Sequence, residues 1–587
     1  MAELRGHLSA PDYFMLIGYF VLMLGIGAYF YRHMKAMKDY FTGSNTIPWW
    51  LSGVSFYMTS FSVAAFTFYP GLCYRHGWVG ITLLWVAVPA TFVSAGLFAR
   101  HWRRARVSSP VEFLETRYSP GLRQVFAWQG IPVMLIDDGI KLFATGNFVS
   151  VCTGMSMPTS ILLCGGIMLI YTFMGGLWAV AVTDFIQFVV LTVGLLVIFP
   201  LSVSKAGGLG AIFQNAPEGF FRMTSPEFGW SYVIPLVLLY TLSWSVNWAL
   251  VQRYYCVPKE KDAIKVGWCV IALYIIGPPL MFFPAIAGAQ FLPKLADAGQ
   301  VYPILCAQLL PAGMLGLAIA AMFAATMSTL SGHYNVCASV LTNDVYHRLI
   351  HRNASQRELV FVGRVMTVVV GVVALGIGFL LARGKAEDLF RMMVTLFGIA
   401  TAPVAIPMIL GLVSRRATSL SAMLGFIIGI SLGLALFALS RYQHDIVLGG
   451  IAWIPASEDV VFWGFALKME IVMFLGTAVV TLAVMLVISA LAPVTSGERS
   501  RIEPFLKRLQ TPVGEMEGDN DSLRSSTRSL SPFRVVGVCT FVIGLMMLAV
   551  VPWSPDRLVL MIDLMLSALL IVVGGLMAWL QRSPAAA

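Results

Sequence analysis

Long apolar segments recur along the whole chain and are separated by short polar stretches. A helix that crosses a bilayer needs roughly 20 apolar residues, and about 15 segments approach or exceed that length. They cover residues 12–31, 49–69, 78–100, 124–153, 159–174, 180–204, 229–255, 264–291, 312–346, 359–382, 388–413, 419–439, 464–491, 534–552 and 558–581. The pattern therefore predicts an all-α polytopic membrane protein.

Composition supports a membrane protein and excludes other classes. Of the 587 residues, 58% are hydrophobic and 12% are charged, whereas soluble domains carry roughly 25% charged residues. The net charge of +10 fits basic cytoplasmic loops rather than nucleic-acid binding. The eight cysteines show no CxxC pairing, which indicates neither a disulfide framework nor a metal site. Segment 12–31 is too long for a signal-peptide core, so it is predicted to be a retained N-terminal helix.

Basic residues cluster in alternate loops, after the first, third, seventh, ninth and eleventh segments. These clusters are Arg32, Lys35 and Lys38; Arg100, Arg103, Arg104 and Arg106; Arg253, Lys259, Lys261 and Lys265; Arg348, Arg352 and Arg357; and Arg415 and Arg416. The positive-inside rule places these loops in the cytoplasm. The chain is thus predicted to lie in the plasma (inner) membrane, with its N-terminus outside and its C-terminus in the cytoplasm. The opposite loops, such as 154–158 and 441–463, hold few basic residues.

The ninth segment carries a cluster of hydroxyls. Ser328 and Ser331 are three residues apart and share a helix face, and Thr329 lies on its shoulder. Hydroxyls in hydrocarbon need partners, and oxygens close together suit a small hard cation such as sodium. The alternative is that these side chains bond to carbonyls one turn earlier and serve only helix packing.

The second segment is also polar at its centre, with Thr59, Ser60 and Ser62. Pro70-Gly71 is predicted to end that helix. Transporters often bind substrate and ions where a helix is interrupted and its carbonyls are freed. The alternative is an ordinary helix with serines on its packed face.

The fourth segment contains three charges. Asp137 and Lys141 are four residues apart, acid first, which favours an ion pair on a helix and leaves Asp138 with no evident partner. A free carboxylate prefers hydroxyls or an ammonium group, so a neutral polyhydroxy solute or an amine is predicted. If Lys141 faces the cavity instead, an organic acid is favoured. A purely structural ion network is the alternative to both.

In the sixth segment, Asp184 and Gln187 share a helix face, after a tight turn predicted at Gly175-Gly176. An acid inside a span is a functional candidate by default. We expect Asp184 to tune ion binding or gating rather than to hold the fold. In the seventh segment, Asn247 adds a polar side chain.

Seven motifs follow one another along the chain. They are Asp39-Tyr40-Phe41 with Gly43, Pro48-Trp49-Trp50, Pro70-Gly71 with Tyr74 and Gly77, Glu112-Phe113-Leu114-Glu115 with Arg117-Tyr118, Tyr171 through Gln187, Gln252-Arg253, and Met327 through Tyr346. In this order they resemble the sodium:solute symporter family, which includes sodium/proline, sodium/sialic acid and sodium/glucose cotransporters. The resemblance covers about residues 12–490.

The resemblance implies a leucine-transporter-like core of two inverted five-helix repeats, here 49–204 and 229–413, whose opening helices are discontinuous. Helix 12–31 precedes the core, and two further helices, 419–491, follow it. Beyond them, a polar cytoplasmic linker, 492–532, leads to a C-terminal hairpin, 533–581. Within the linker, Glu515 to Ser529 has no apolar face and is expected to be disordered.

The resemblance also implies a sodium site. Its ligands are the carbonyls of Met58, Phe61 and Ala325 and the hydroxyls of Ser328 and Thr329. A second sodium would lie between Asp184, Ser328 and Ser331, although Gly332 stands where that site needs a serine.

Four residues are predicted to contact the solute: Ser60, Asp138, Lys141 and Asn247. Ser60 and Leu84 stand where the proline and sugar branches of the family have acids, so neither proline nor galactose follows from the resemblance.

Together these features predict a sodium-coupled secondary active transporter. Its sodium ion is co-transported, and it imports a small polar organic solute (a sugar or polyol, an amino compound or an organic acid) by alternating access. Its partners are that solute and membrane lipid, with no nucleic acid. No phosphate loop, metal-spaced His cluster or nucleophile elbow predicts an enzyme. The alternatives are a transporter-like membrane sensor and a proton-coupled carrier.

Overall fold

The structure is a computed structural model. It describes residues 7–579 except 34–44, 61, 108–109, 173–176, 383, 385, 441–445, 449–450, 455–458, 463–464, 517–531 and 555–556. The turn predicted at Gly175-Gly176 lies outside the described residues.

Helices make up most of the described chain. They are α1 (Ala10–His33), α2 (Trp49–Thr59), α3 (Val63–His76), α4 (Val79–Trp85), α5 (Ala87–Ala105), α6 (Pro110–Arg117), α7 (Pro120–Thr153), α8 (Met157–Thr172), α9 (Leu177–Lys205), α10 (Leu209–Gln214), α11 (Trp230–Val246), α12 (Trp248–Tyr255), α13 (Glu260–Phe291), α14 (Val301–Leu309), α15 (Met314–Val340), α16 (Gln356–Leu381), α17 (Ala386–Val413), α18 (Ser419–Leu439), α19 (Met469–Leu491), α20 (Ser496–Gln510), α21 (Pro532–Val550) and α22 (Arg557–Trp579). Short 3-10 turns cover Ala298–Gln300 and Val551–Trp553, and α15 continues as a π-helix over Leu341–Ile350.

Within the described residues, 11 helices are long and apolar enough to cross a membrane, or up to 14 if each bent pair of helices is one span. One of those pairs, α7 and α8, turns through 119°, so its two members run back along each other. Counting α7 and α8 as separate crossings agrees with the number of spans predicted from the sequence.

Two spans are broken in mid-course. α2 and α3 meet at 65°, and α11 and α12 meet at 57°. At the first break, Ser62 has extended backbone, and its side chain accepts a hydrogen bond from the Ala64 N–H at 3.3 Å. At the second break, the side chain of Asn247 accepts a hydrogen bond from the Leu250 N–H at 3.3 Å. These polar residues cap the new helices, and the breaks fall in the opening helices of the two predicted repeats, as expected.

The prediction that Pro70-Gly71 ends the second helix is wrong. α3 continues through Pro70 to His76 and stops at Gly77, whose φ is +66°. Packing against neighbouring helices compensates for the hydrogen bond that Pro70 cannot donate. Gly71 allows close approach, because a Cβ there would lie 3.0 Å from the Ala298 carbonyl oxygen.

α15 is the central helix of the fold. Its most apolar stretch is wholly buried, and it contacts α1, α2, α3, α7, α8, α9 and α16. Its first turn is held by Asp12 of α1, whose Oδ1 accepts hydrogen bonds from the N–H groups of Gly313 (2.7 Å) and Gly316 (2.9 Å). A carboxylate at a helix N-terminus satisfies free N–H groups and complements the helix dipole.

A small sheet follows α18, where the sequence analysis expected a loop over 441–463. It is an antiparallel meander of β1 (Ile446–Leu448), β2 (Ile451–Ile454), β3 (Asp459–Phe462) and β4 (Phe465–Lys468). Runs of β-branched and aromatic residues favour these strands. Val460 is buried with Ile399 of α17 and Met469 and Met473 of α19. Helix α19 consequently begins at Met469 rather than at the predicted residue 464, while the membrane-spanning part is all-α as predicted.

The region predicted as a polar linker, 492–532, contains the docked helix α20. Its buried face is formed by Ile502, Phe505, Leu506 and Leu509, at helical spacing. The sequence analysis overlooked this apolar stripe, which is typical of an amphipathic helix. Residues 517–531, which include most of the segment expected to be disordered, lie outside the described residues.

Arg106, at the end of α5, holds the C-terminus of α20. Its guanidinium donates hydrogen bonds to the carbonyl oxygens of Arg508 (3.0 Å), Thr511 (3.3 Å) and Pro512 (2.8 Å). A cation at a helix C-terminus satisfies carbonyls that lack helical partners. This contact fixes α20 to the cytoplasmic side predicted for the Arg100–Arg106 loop.

Arg106→Met should loosen α20, because the variant keeps the apolar stem but loses these charged donors. Such bonds contribute about 1.5–3 kcal/mol each, so backbone amides at the end of α20 should exchange about 10-fold faster or more. Hydrogen–deuterium exchange of the full-length protein measures this. Arg499→Met is the matched control, since Arg499 pairs with Glu503 at 3.7 Å and both are well exposed. Equal exchange in the two variants would contradict the proposed anchoring.

Candidate functional site

The break between α2 and α3 lies against α15, which contacts both helices. Met58, in the last turn of α2, and Ala325 of α15 are each 1% exposed. Thr329, one turn after Ala325, is also buried. Phe61 and the side chain of Ser328 lie outside the described residues. The structure thus brings the helices of the predicted sodium ligands together inside the protein.

The Thr329 hydroxyl is buried and has no hydrogen-bond partner among the described residues. Thr145 and Thr91, by contrast, donate to carbonyls four residues earlier, at 2.8 and 2.7 Å. Thr326 pairs with Thr145 across α7 at 3.2 Å. The helix-packing alternative therefore describes Thr145 and Thr91 but not Thr329, whose buried hydroxyl has no such bond to a carbonyl among the described residues.

Asp184 belongs to a buried network that anchors α2. The Ser55 hydroxyl donates to Asp184 Oδ2 at 2.5 Å and accepts from Arg253 Nε at 3.1 Å. Arg253 Nη2 lies 3.6 Å from Asp184 Oδ2 and donates to the Thr59 hydroxyl at 3.1 Å. The network joins α9, α12 and the last turns of α2 just before the break.

Arg253 changes the interpretation of Asp184. We expected a role in ion binding or gating; the buried guanidinium favours a structural role as well, because it already balances the carboxylate charge. Ser331, the other predicted ligand of a second sodium, is buried on α15. Packing does not require a glycine at position 332, because a Cβ there would meet nothing within 4 Å.

The expectation that Asp138 lacks a partner is wrong. His333 of α15 places Nδ1 2.7 Å from Asp138 Oδ1. The predicted pair on α7 is present, as the Lys141 ammonium donates to Asp137 Oδ2. The sequence could not indicate His333, which is 195 residues from Asp138 and reaches it only because α15 packs on α7.

The remaining predicted solute residues lie at the two breaks. Ser60 ends α2; its hydroxyl donates to the Tyr57 carbonyl at 2.7 Å and contacts the Tyr274 hydroxyl at 2.6 Å. Asn247 is exposed, and its side chain caps α12, as described above. Ser60 is thus part of a hydroxyl cluster, and Asn247 stabilises the start of α12 at the second break.

An aromatic row extends from the first break to α11. It consists of Tyr57, Tyr274, Trp244, Tyr240 and Tyr69. Successive ring centroids are 4.9 Å (Tyr57–Tyr274), 5.3 Å (Tyr274–Trp244) and 5.6 Å (Trp244–Tyr240) apart. The Tyr240 and Tyr69 hydroxyls lie 3.0 Å apart. Sequence reasoning missed this row, because its members come from four helices.

Asp184→Asn and Arg253→Met should each destabilise the protein by about 3 kcal/mol, because each leaves a buried charge without its partner. The double variant should lose less than the sum of the two. Thermal unfolding of the purified full-length protein measures this cycle. Glu218→Gln is the control, since the Glu218–Arg222 pair at 3.8 Å is exposed. Additive losses in the double variant would rule out direct coupling of Asp184 and Arg253.

The model of the sodium:solute symporter family matches residues 40–429. The sodium/sialic acid symporter NanT of Aliivibrio fischeri is 27% identical over 441 residues, which are 72% of this chain and 86% of that protein. The sodium/glucose cotransporter of Vibrio parahaemolyticus is 26% identical over 474 residues, 74% of this chain and 87% of that protein.

Solved structures share the fold. A substrate-bound, outward-open sodium-coupled sialic acid symporter matches with a TM-score of 0.67 and 24% identity, covering 83% of this chain and 98% of that chain. Mhp1, a nucleobase-cation-symport-1 family transporter in a closed conformation, matches with a TM-score of 0.50 and 15% identity, covering 80% and 100%. The predicted class, a multi-pass membrane transporter that couples sodium to a small solute, is confirmed. Because the family model matches more than half of its length, the chain belongs to the sodium:solute symporter family.

Proposed function

We propose that this symporter carries one sodium ion together with a neutral, hydroxyl-bearing solute such as a sugar or polyol. The sodium ion would be held by the carbonyls of Met58, Phe61 and Ala325 and the hydroxyls of Ser328 and Thr329. The observation that carries the proposal is the buried, unpartnered Thr329 hydroxyl on the helix that packs against the α2–α3 break. A neutral oxygen acceptor without a donor suits a hard cation.

A single sodium is favoured by two observations. The Asp184 carboxylate already faces Arg253 at 3.6 Å, so a second cation beside it would be repelled by the guanidinium. The serine expected at position 332 is a glycine, and space for a side chain is present there. Asp184 therefore supports the broken helix, while Thr329 marks the ion site.

The solute class follows from the groups at the first break. Ser60 and the aromatic row are uncharged, and they offer hydroxyls and ring faces. A charged solute would lose its hydration there without an ionic partner, whereas a polyol gains hydrogen bonds and ring contacts. Asp138 and Lys141, which are bonded to His333 and Asp137, belong to a separate charged cluster of α7 and α15 and are not assigned to the solute.

The coupling mechanism uses the repeats 49–204 and 229–413. Sodium would bridge the broken α2–α3 span and α15, and the solute would bind beside it at Ser60. Rocking of the repeats would then expose both to the cytoplasm, where the basic loops place Arg106 and α20. In this orientation sodium entry drives solute import.

Thr329→Ala should raise the sodium concentration for half-maximal uptake about 10-fold, the cost of one lost ligand worth roughly 1.4 kcal/mol. Uptake into proteoliposomes at varied sodium measures this. Thr342→Ala is the matched control, since its hydroxyl is also buried without a partner among the described residues but lies farther along, in the π-helix. Unchanged sodium dependence in Thr329→Ala would overturn the site, and uptake driven by a proton gradient without sodium would favour a proton-coupled carrier.

Neutral sugars or polyols should raise the thermal stability of the purified protein in sodium but not in choline. Sialic acid and simple amines should not, because the charged groups next to the break, Arg253 and Asp184, already pair with each other. A thermal-shift screen followed by competition for uptake tests the solute class. Stabilisation by a carboxylated sugar or an amine alone would refute the neutral-solute proposal. A ligand that binds without any uptake would instead favour a membrane sensor.

A further inference from the structure

Four ionisable side chains from two helices meet within the membrane-spanning region. Asp137, Asp138 and Lys141 belong to α7, and His333 belongs to α15. Asp138 is fully buried, whereas the His333 side chain is 17% exposed. The cluster is therefore closed on the α7 side and accessible through the imidazole.

The cluster brings together donors of the kind that bind metals. One ligand atom from each of Asp137, Asp138 and His333 lies within 4.8 Å of the other two. Two carboxylates and an imidazole thus converge from two helices. Lys141 is the one competitor in the described part of this cluster, because its ammonium is bonded to Asp137.

An independent observation indicates that the cluster is short of a cation. Asp138 Oδ2 is buried and has no hydrogen-bond partner among the described residues. The two carboxylates of α7 exceed its single ammonium, that of Lys141, by one negative charge. A buried carboxylate oxygen without a partner is costly, and a bound cation would remove that cost.

We propose that Asp137, Asp138 and His333 form a binding site for a divalent transition-metal cation such as zinc. Imidazole with carboxylate oxygens suits first-row divalent metals and is a poor set for sodium, which leaves this site distinct from the sodium site. Three protein ligands leave the fourth tetrahedral position of zinc to water. Binding would release any proton held by the imidazole and displace the Lys141 ammonium from Asp137.

Zinc at this site would tie α7 to α15. His333 lies one helical turn after Thr329, on the same face of α15. A metal bridge would therefore restrain the helix that carries the proposed sodium ligand. We expect zinc to inhibit sodium-driven uptake without competing directly with sodium.

The decisive measurement is zinc binding to the purified full-length protein by titration calorimetry, which needs no transport assay. His333→Gln should weaken binding about 10-fold or more, since even outer-shell partners of a metal contribute that much. His351→Gln is the matched control: His351 Nδ1 also lies 2.8 Å from a carboxylate, Glu358, but the pair is exposed and lacks the second buried acid. This control should leave the affinity unchanged.

Two further variants sharpen the test without removing a buried carboxylate. Lys141→Met removes the competing ammonium and should tighten zinc binding. His333→Cys supplies a thiolate, a good zinc ligand, and should bind zinc more tightly than His333→Gln. Absence of zinc binding by the wild-type protein, or equal loss in His333→Gln and His351→Gln, would overturn the site. Failure of solute uptake alone would leave these binding results unaffected, so the two proposals fail separately.

Discussion

Hydrocarbon offers no hydrogen-bond partner to a peptide group, and this constraint determines where the helices of the fold can break. The interruption at 60–62 is tolerated because α15 covers it and because Ser62 caps the helix that follows. At the second interruption, the side chain of Asn247 caps the helix that follows by accepting a hydrogen bond from the Leu250 N–H. Freed carbonyls and short polar caps are thus concentrated at two places in an otherwise continuous set of helices. The proposed sodium and solute contacts lie at the first of these two places.

Two buried ion pairs balance charge locally within the membrane-spanning region. Asp184 faces Arg253, and Lys141 is bonded to Asp137. Each pair is buried, so its value lies in positioning helices rather than in net stabilisation, because desolvation offsets much of the Coulomb attraction. In the Asp138–His333 pair the partner is an imidazole rather than an ammonium or guanidinium, and Asp138 Oδ2 has no hydrogen-bond partner among the described residues. That carboxylate is therefore a candidate for binding a cation.

Sequence predicted the helical architecture well because the length of an apolar segment is a strong signal in a membrane protein. It also predicted the broken opening helices and the Asp137–Lys141 pair, whose members are close in sequence. It missed His333 and Arg253 as partners of acids, because those contacts join residues far apart in the chain. It misjudged α20 because charged residues outnumber its apolar stripe, and the strands before α19 because their runs are only three or four residues long. Features that depend on neighbouring residues in the chain could be predicted from the sequence, whereas contacts that depend on helix packing could not.

The proposed sodium site is built from neutral oxygens, and this has a consequence for transport. Carbonyls and hydroxyls hold a monovalent cation less tightly than a carboxylate at the same distance would. Arg253 reduces the field that Asp184 would otherwise exert on the break. Sodium bound at the proposed site would therefore be held weakly enough to leave when the cytoplasmic side opens. Coupling between sodium and solute is reciprocal and is typically about 1–3 kcal/mol. At a neutral site, coupling of that size is enough to decide whether sodium stays or leaves.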